Sequence, residues 1–468
     1  MNWDSQEDGK TGSFFWANPL IPPRLPIFLF KSNPRASRVV FLVAMMASTF
    51  AYARDAAAAG AVDGLAAEAT KGLGAVSATV VVVAGPLASD QPAPKGDELA
   101  LRVAALVAGK IGATAKAHNQ TAQLGTARGI AGKSGGLVYV QIEIAKGELR
   151  ATVDAYPAQR NSWDRIRNPL PAPTGHAFAG VKIDAEVRAF LSPILLEQAS
   201  VHKAKHDEGE VLAVACGDID GDGGNEIALV SRARVVLGRI RGGKLVASKT
   251  ATWASLASRA PAPLREAIGT AAIFGGKLLV GTSDRGGVAI AADFATHAAL
   301  PGLPVSLGDG ATCVTTEAAA SALEGPAIDC FAPRDTATRT PTPTPRFDAF
   351  AAASIVARDG STRPVVAARE MSGKLRLRLG DTITRVLENV GAQVTVGDLD
   401  QDGVAEIVTT ADAGDDFISV VSWSGGEPRA RVKLAAPAGV RALAICPAEE
   451  RGAPALVAVV GAEVWIVR

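Results

Sequence analysis

Aromatic side chains are scarce in this sequence, at 5% of 468 residues, and neither sign of charge is in excess. The scarcity excludes a fold built on a few large aromatic clusters and favours many short strands with small-residue packing. The 48 basic and 47 acidic residues nearly cancel, which argues against a nucleic-acid-binding surface or a polybasic membrane patch. The length predicts two or three domains.

Cysteine is also rare, with only Cys216, Cys313, Cys330 and Cys446 present. Four cysteines are too few for a disulfide scaffold, and the lack of a Cys-x-x-Cys pair argues against a tetrahedral zinc site. A loop separates Cys313 from Cys330 and could be closed by a disulfide. Cys216 and Cys446 fall in the first and last of the repeats described below, where they could pair across a ring closure or remain buried thiols.

Several catalytic motifs are missing. The five histidines include no His-Glu-x-x-His arrangement, and the chain has neither a Gly-x-Ser-x-Gly elbow nor a phosphate-binding loop with Gly-Lys-Ser/Thr at the required spacing. These absences argue against a zinc protease, an α/β-hydrolase and a P-loop nucleotidase.

The N-terminus has the pattern of a secretory signal peptide. Arg35 and Arg38 precede an apolar run over residues 39–53 that ends in Ala51-Tyr-Ala53, and a basic flank, a short apolar core and small terminal residues are typical of such a signal. The run is shorter than a membrane-spanning helix requires. We therefore predict cleavage after Ala53 and export to the periplasm or outside the cell; a buried N-terminal helix is the alternative.

A first folded unit is predicted after an Ala- and Gly-rich flexible segment at 54–74. A buried strand at 78–84 is followed by apolar spacing that predicts a helix over 97–117, and then by a second helical segment at 120–132. Alternating residues at 136–144 and 149–156, with Gly147 between them, predict a β-hairpin. A further helix is expected over 184–196. The order predicts a small α/β domain at 75–200.

From about residue 208 onward, short apolar strands alternate with Gly, Asp and Pro turns. Strand–turn–strand–turn–strand units of about 40 to 45 residues predict the blades of a β-propeller, in which radial stacking buries both faces of each small sheet. Six opening strands are expected, beginning near residues 211, 267, 311, 349, 392 and 440. A seventh blade could lie at 248–264 or be completed by the segment before Glu208.

Two acidic loops within these repeats have the same carboxylate spacing. Each begins with Gly-Asp and places acidic residues at relative positions one, three, five and nine, with a Gly at position six and a backbone carbonyl at position seven. Calcium prefers six to eight such hard oxygen ligands. The predicted ligands are Asp218, Asp220, Asp222, Gly224 and Glu226 in one loop, and Asp398, Asp400, Asp402, Val404 and Glu406 in the other.

Two other interpretations of the loops were considered. An EF-hand requires Glu at position twelve and flanking helices, but Leu229 and Thr409 occupy that position and strands flank both loops. A solvated Asp/Gly turn without metal is the plainer alternative. Two copies with identical spacing favour the metal site.

The segments Gly217-Asp-Ile-Asp-Gly-Asp-Gly-Gly-Asn-Glu-Ile227 and Gly397-Asp-Leu-Asp-Gln-Asp-Gly-Val-Ala-Glu-Ile407 resemble the calcium loops of FG-GAP/VCBS repeats, which occur in integrin-α-like β-propellers. The resemblance implies that the loop joins neighbouring strands of a blade and that its metal makes the blade rigid. The first unit is similar, more faintly, to the N-terminal domain of the TolB family of periplasmic proteins.

These features predict a mainly β protein with a C-terminal β-propeller of six or seven blades at 208–468, preceded by the small α/β domain. We expect an exported calcium-binding protein that binds or scaffolds a protein or glycan of the cell envelope, without catalysis. The alternative is a glycan-active lyase or hydrolase that uses the central mouth of the propeller, since a ring-centre site assembled from several blades leaves no local motif.

Overall fold

The computed structural model describes residues 60–73, 79–132, 135–158, 162–168, 171–256, 267–300, 302–306, 312–319, 322–324, 347–380, 383–411, 414–449 and 453–468. All of them belong to one unit that spans residues 58–468. The predicted signal peptide and Cys330 lie outside the described residues. In the described segments, no helix has both the length and the apolar character needed to span a bilayer.

The N-terminal part is the expected small α/β domain. Its elements are α1 (Ala61–Leu73), β1 (Val80–Ala84), β2 (Ala88–Ser89), α2 (Gly96–Ile111), β3 (Ala115–Ala117), α3 (Leu124–Ala131), β4 (Gly136–Ala145), β5 (Glu148–Tyr156), α4 (Ser162–Arg167), β6 (Gly175–Lys182) and α5 (Ala185–Arg188). The sheet has the order β3-β1-β4-β5-β6, with β2 on β4. Strands β3, β1 and β4 are parallel, and β4, β5 and β6 are antiparallel.

The consecutive valines of β1 are buried because helices cover both faces of this sheet. Val82 packs in a core with α1 and α2, and its neighbour Val83 packs in a second core with α3 on the other face. Side chains alternate between the two faces of a strand, so a strand buried on both sides is apolar throughout.

Three predictions for this part of the chain need correction. Residues 61–73 form α1 rather than a flexible segment, because their small and branched apolar residues recur at helical spacing and are buried against the sheet. Helix α2 ends at Ile111, since Gly112 has a positive φ of 113°, and 115–117 form β3. The predicted helix over 184–196 is only the single turn α5 and a 3₁₀ turn at Leu196–Gln198; Pro193 prevents a continuous helix.

The rest of the described chain forms a β-propeller. Its strands are β7 (Val201–Lys205), β8 (Val211–Gly217), β9 (Glu226–Ser231), β10 (Arg234–Arg241), β11 (Lys244–Thr252), β12 (Gly269–Phe274), β13 (Lys277–Thr282), β14 (Gly286–Ala291), β15 (His297–Leu300), β16 (Leu303–Ser306), β17 (Thr312–Ala319), β18 (Ala322–Glu324), β19 (Phe347–Val356), β20 (Thr362–Glu370), β21 (Leu375–Leu379), β22 (Ile383–Leu387), β23 (Val390–Gly397), β24 (Ala405–Ala411), β25 (Phe417–Trp423), β26 (Arg429–Ala435), β27 (Val440–Cys446), β28 (Ala455–Val460) and β29 (Glu463–Val467); helix α6 (Trp253–Leu256) follows β11.

These strands group into six blades within the described residues. Blades one to five begin with β8, β12, β16, β19 and β23, and blade six consists of β27, β28, β29 and β7. The six first strands contact one another in turn, and β27 contacts β8, so the ring is closed. The prediction of a mainly β fold with a propeller is confirmed. The segment before Glu208, β7, completes the sixth blade and not a seventh one.

The ring is closed twice, once at each edge of blade six. At the outer edge β7 pairs antiparallel with β29, so a strand from the start of the propeller completes its last blade. At the inner edge Cys216 of β8 and Cys446 of β27 form a disulfide with their Cα atoms 4.8 Å apart. Of the two alternatives left open for this pair, the structure has the disulfide.

The third blade begins earlier than predicted. Its first strand is β16, at 303–306, and the strand near residue 311 is the second one of that blade. Pro304 obscured β16 in the sequence, because a proline argues against a strand with partners on both sides. It is tolerated here because β16 is the edge strand of its sheet. Of residues 248–264, proposed for a seventh blade, 248–256 belong to β11 and α6 of blade one, and 257–264 lie outside the described residues.

The first strands of the blades surround a central cavity of about 1180 Å³. Small and apolar residues of β8, β12, β19, β23 and β27 form most of its wall, and residues 182–185 of the α/β domain lie at the cavity. Asp218 and Asp398, which follow the ends of β8 and β23, also line it. The acidic loops therefore begin at the rim of the cavity.

Candidate functional site

The first acidic loop (residues 218–226) joins β8 to β9 in blade one, and the second acidic loop (residues 398–406) joins β23 to β24 in blade five. Each loop thus connects the first and second strands of its blade, between strands as predicted. Strands on both sides exclude the EF-hand geometry.

The backbone of both loops curls at the predicted glycines. Gly223 and Gly403 have φ angles of 85° and 81°, and the residues two positions earlier, Gly221 and Gln401, also have positive φ at 78° and 57°. Only glycine adopts this conformation without a steric penalty. In the second loop a non-glycine residue, Gln401, has this strained backbone conformation. The hydrogen bonds from the next two amides, of Asp402 and Gly403, to the Asp398 carboxylate hold it there.

The first aspartate of each loop builds the turn. Asp218 accepts hydrogen bonds from the backbone amides of Gly221 (2.7 Å) and Gly223 (2.9 Å). Asp398 accepts hydrogen bonds from the amides of Asp402 and Gly403, both at 3.0 Å. The bonds from Gly223 and Gly403 correspond in the two loops, and a carboxylate that accepts two bonds still has acceptor capacity for a cation.

The glutamate at position nine closes each loop. Oε2 of Glu226 accepts from the amide of Ile219 (3.0 Å), and Oε2 of Glu406 accepts from the amide of Leu399 (2.8 Å). Both side chains are buried, and Glu406 has no solvent exposure at all. A buried carboxylate is costly unless a cation or donors compensate it.

Three predicted ligands converge in each loop. Carboxylate oxygens of Asp218, Asp220 and Glu226 lie within 4.8 Å of one another in the first loop. Those of Asp398, Asp400 and Glu406 also lie within 4.8 Å of one another in the second loop. Two oxygens bound to one calcium ion at 2.3–2.6 Å are at most about 5 Å apart. The spacing of both triads therefore fits a single calcium ion.

The remaining predicted ligands are placed differently. Asp222 is turned towards Arg239, and the backbone oxygen of Gly224 accepts a hydrogen bond from the same guanidinium at 3.3 Å. Oδ1 of Asp402 accepts from the amide of Val404 at 2.8 Å. Asp222 and Asp402 thus lie outside the converging triads.

The second acidic loop has excess negative charge. Burial, followed by repulsion from the neighbouring aspartates, raises the pKa of Asp398 to about 7. Burial and then the charge of Asp400 raise the pKa of Glu406 to about 8. Nη1 of Arg431 lies 3.1 Å from Oδ2 of Asp400, but Arg431 contacts no other member of the triad. The charge of this loop is therefore only partly compensated.

The first acidic loop is compensated by Arg239 of β10. Both terminal nitrogens of Arg239 lie 2.6 Å from the carboxylate oxygens of Asp222, and Nη2 also forms an ion pair with Oε1 of Glu226. The hydrogen bonds that Arg239 donates to Asp222 lower the pKa of Asp222 to about 2 and raise the pKa of Arg239. The two loops have the same sequence pattern but different basic partners. One guanidinium contacts Asp220, Asp222 and Glu226 in the first loop. In the second loop Arg431 contacts Asp400 and Arg358 contacts Asp402, whereas Glu406 accepts hydrogen bonds from neutral groups.

The basic residues that face the loops were not predicted from the sequence. Arg239 and Arg431 come from later strands of their blades, and no local motif connects them to the acidic residues. For Arg239 the only signal was register, because a polar residue at the position opposite Glu226 in the next strand must face the loop. Arg431 had no such signal, since the residue opposite Glu406 is Ser422.

No protein-family model matches the chain, and no curated protein sequence is similar to it. Among solved structures, BBS1N in complex with ARL6DN, soaked with lead, is 10% identical, with 70% of this chain and 90% of that chain covered and a TM-score of 0.33. A mutant of AofleA from Arthrobotrys oligospora is 11% identical, with coverages of 58% and 88% and a TM-score of 0.35. U3-55K is 10% identical, with coverages of 69% and 91% and a TM-score of 0.30. At these TM-scores the similarities support no inference about function.

Proposed function

We propose that this protein is an exported, non-enzymatic calcium-binding β-propeller of the FG-GAP/VCBS type. In this proposal calcium is structural, and the propeller binds or scaffolds a protein or glycan of the cell envelope. The observation that supports it most directly is the second acidic loop, where three carboxylates converge with little compensating charge.

The donor set of this loop suits calcium better than other common metals. All its candidate ligands are oxygens, and the cluster contains neither histidine nor cysteine, so zinc and other borderline metals are disfavoured. Calcium tolerates the irregular geometry of a short loop, whereas magnesium demands a near-ideal octahedron. Asp398, Asp400 and Glu406 would hold the ion, with Asp402 and the Val404 carbonyl as further ligands.

Export is supported by two independent features. The signal-peptide pattern at 35–53 predicts it, and the Cys216–Cys446 disulfide is of a kind that persists mainly in oxidising compartments. Such compartments also offer calcium at the concentrations that weak extracellular sites require.

Binding rather than catalysis is supported by the wall of the central cavity. Alanine and valine are its commonest lining residues, and no histidine is among the described residues that line it. Its carboxylates come from the α/β domain (Asp184), from the two ends of β8 (Glu210 and Asp218) and from blades four and five (Asp348 and Asp398). General acid–base chemistry needs groups within hydrogen-bond reach of the same reacting atom.

Thermal unfolding in calcium and in chelator tests the proposal. We expect calcium to raise the melting temperature of the wild-type chain by several degrees, because an ion bound only to the folded state contributes about 3 kcal/mol at a hundredfold excess over its Kd. Asp400→Ala should abolish this response.

Asp293→Ala is a matched control, since Asp293 is an exposed carboxylate in the turn between β14 and β15 of blade two that accepts hydrogen bonds from Ala295 and Thr296. This variant should respond to calcium as the wild type does. Melting that is indifferent to chelator in the wild type would contradict the proposal.

A further inference from the structure

We infer that Arg239 is a built-in cation that takes the place of calcium in the first acidic loop, so that only the second acidic loop binds the metal. This inference rests on the proposed function and goes beyond it, because it assigns different chemistry to two loops that share one sequence motif.

The position of the Arg239 guanidinium is the first argument. Its Nη2 atom contacts Glu226 Oε1 and lies 2.6 Å from Asp222 Oδ1, 3.3 Å from the Gly224 oxygen and 3.5 Å from Asp220 Oδ1. These four groups are the predicted calcium ligands at positions three, five, seven and nine. One positively charged nitrogen therefore lies where they meet.

Calcium and this guanidinium exclude each other. An ion coordinated by these oxygens at 2.3–2.6 Å would fall on the position of Nη2. To admit it, Arg239 would have to leave and break its bidentate pair with Asp222, one of the stronger kinds of hydrogen-bonded contact. The side chain is only 30% exposed, so it is held among the loop and strand residues.

The second acidic loop has a serine at the equivalent position. Glu406 of β24 pairs directly with Ser422 of β25. In blade one, β10 pairs with β9 up to Gly238 opposite Ile227, and one further step places Arg239 opposite Glu226. Ser422 donates a hydrogen bond of 2.8 Å to Oε1 of Glu406. A short neutral hydroxyl thus replaces the guanidinium.

The neighbouring Arg431 does not supply the same compensation. It reaches Asp400 and Ser422, but its Nε is bound to Glu197 at 2.6 Å. Of the four contacts that define the position of Arg239, Arg431 makes only the one to the aspartate at position three, Asp400. The difference at the residue opposite the glutamate therefore decides which loop needs an external cation.

Calcium titration of the full chain by calorimetry tests this inference. We expect one ion per wild-type chain and two per Arg239→Ser chain, since the substitution gives the first loop the serine of the second. Ser422→Arg, the reciprocal variant, should bind none. Melting in chelator should show that Arg239→Ser loses stability without calcium and regains it with calcium.

Hydrogen exchange of the wild-type chain provides a second readout that needs no variant to fold. Calcium should slow amide exchange in residues 398–406 and leave 218–226 unchanged. Two ions per wild-type chain with protection of both loops would overturn the inference while the calcium proposal stood. No binding by the wild type, with one ion bound by Arg239→Ser, would support the role of Arg239 and refute the second site. No binding by either chain would refute both.

Discussion

Single carboxylates determine how the metal-free protein responds to pH. The pKa of Asp398 is raised to about 7 and that of Glu406 to about 8, whereas the unfolded chain has ordinary values of about 3.9 and 4.3. Between these values the folded protein binds more protons than the unfolded chain. The free energy of unfolding therefore decreases as the pH rises through this window.

We expect the melting temperature in chelator to be several degrees lower at about pH 8 than at about pH 5. Calcium favours the ionised carboxylates and should remove most of this loss. Glu406→Gln, which keeps the shape of the side chain without its charge, should flatten the profile in chelator. Parallel pH profiles with and without calcium would show that these two groups do not titrate as described.

Gly217 and Gly397, the glycines before the two acidic loops, also allow close packing between neighbouring blades. A Cβ at Gly217 would lie 3.1 Å from Ile273 of the next blade, and one at Gly397 would lie 2.6 Å from Ile445 of its own next blade. The Gly-Asp pair therefore serves packing between blades as well as the turn. In the sequence only the turn was apparent, because the isoleucines come from strands about 50 residues away.

Strand β7 is the element that closes the ring at its outer edge. The residue pair Ser200 and Arg468 exchanges two backbone hydrogen bonds, of 2.6 and 3.0 Å. Hydrogen-bonded pairs alternate along an antiparallel ladder, so the amide of Ala204, opposite Val464, also points at β29.

Proline at position 204 should therefore open the ring at its outer edge, while the Cys216–Cys446 disulfide still closes the inner edge. Ala204→Pro removes a ladder donor and is expected to destabilise the protein by about 3 kcal/mol or more. Ala204→Gly keeps the donor and should cost only about 1 kcal/mol. The comparison requires chemical denaturation of both variants; equal effects would mean that β7 is not held by its ladder to β29.

The order of elements was predictable where the pattern was local. The β4–β5 hairpin follows from alternation and a turn with Gly147, and five of the six opening strands begin close to the predicted positions because a short apolar run marks each of them. Elements that depend on distant partners were harder to predict. Helix α1 is stabilised by burial against a sheet whose strands come later in the sequence. Strand β16 contains Pro304, which is tolerated because β16 lies at the edge of its sheet.

At the scale of the molecule, the disulfide and β7 act on the same seam. Cys216 and Cys446 are 230 residues apart in sequence, so on loop-entropy grounds their bond contributes up to about 5 kcal/mol by restricting the unfolded chain. It joins the inner strands of the first and last blades, while β7 joins their outer parts. The ring of blades can open only between the first and last blades. Both the Cys216–Cys446 disulfide and the hydrogen bonds between β7 and β29 lie there.

The second acidic loop also lies where the α/β domain meets the propeller. A Cβ on Gly403 would lie 3.1 Å from that of Ala185 in α5. Arg431 bridges the two parts, with Nη1 3.1 Å from Asp400 and Nε 2.6 Å from Glu197, which lies in the connection to β7. Calcium and Arg431 therefore compete for the charge of Asp400.

Removal of this competing cation should strengthen calcium binding. We expect Arg431→Gln to bind calcium about tenfold more tightly, equivalent to about 1.4 kcal/mol, and to melt at a lower temperature in chelator, because Asp400 then lacks its partner. Arg429→Gln is the matched control, since Arg429 lies on the same strand and is exposed; its affinity for calcium should not change. Calorimetric titration of the three proteins decides the matter. Unchanged or weaker binding by Arg431→Gln would mean that Arg431 helps to hold the ion instead of competing with it.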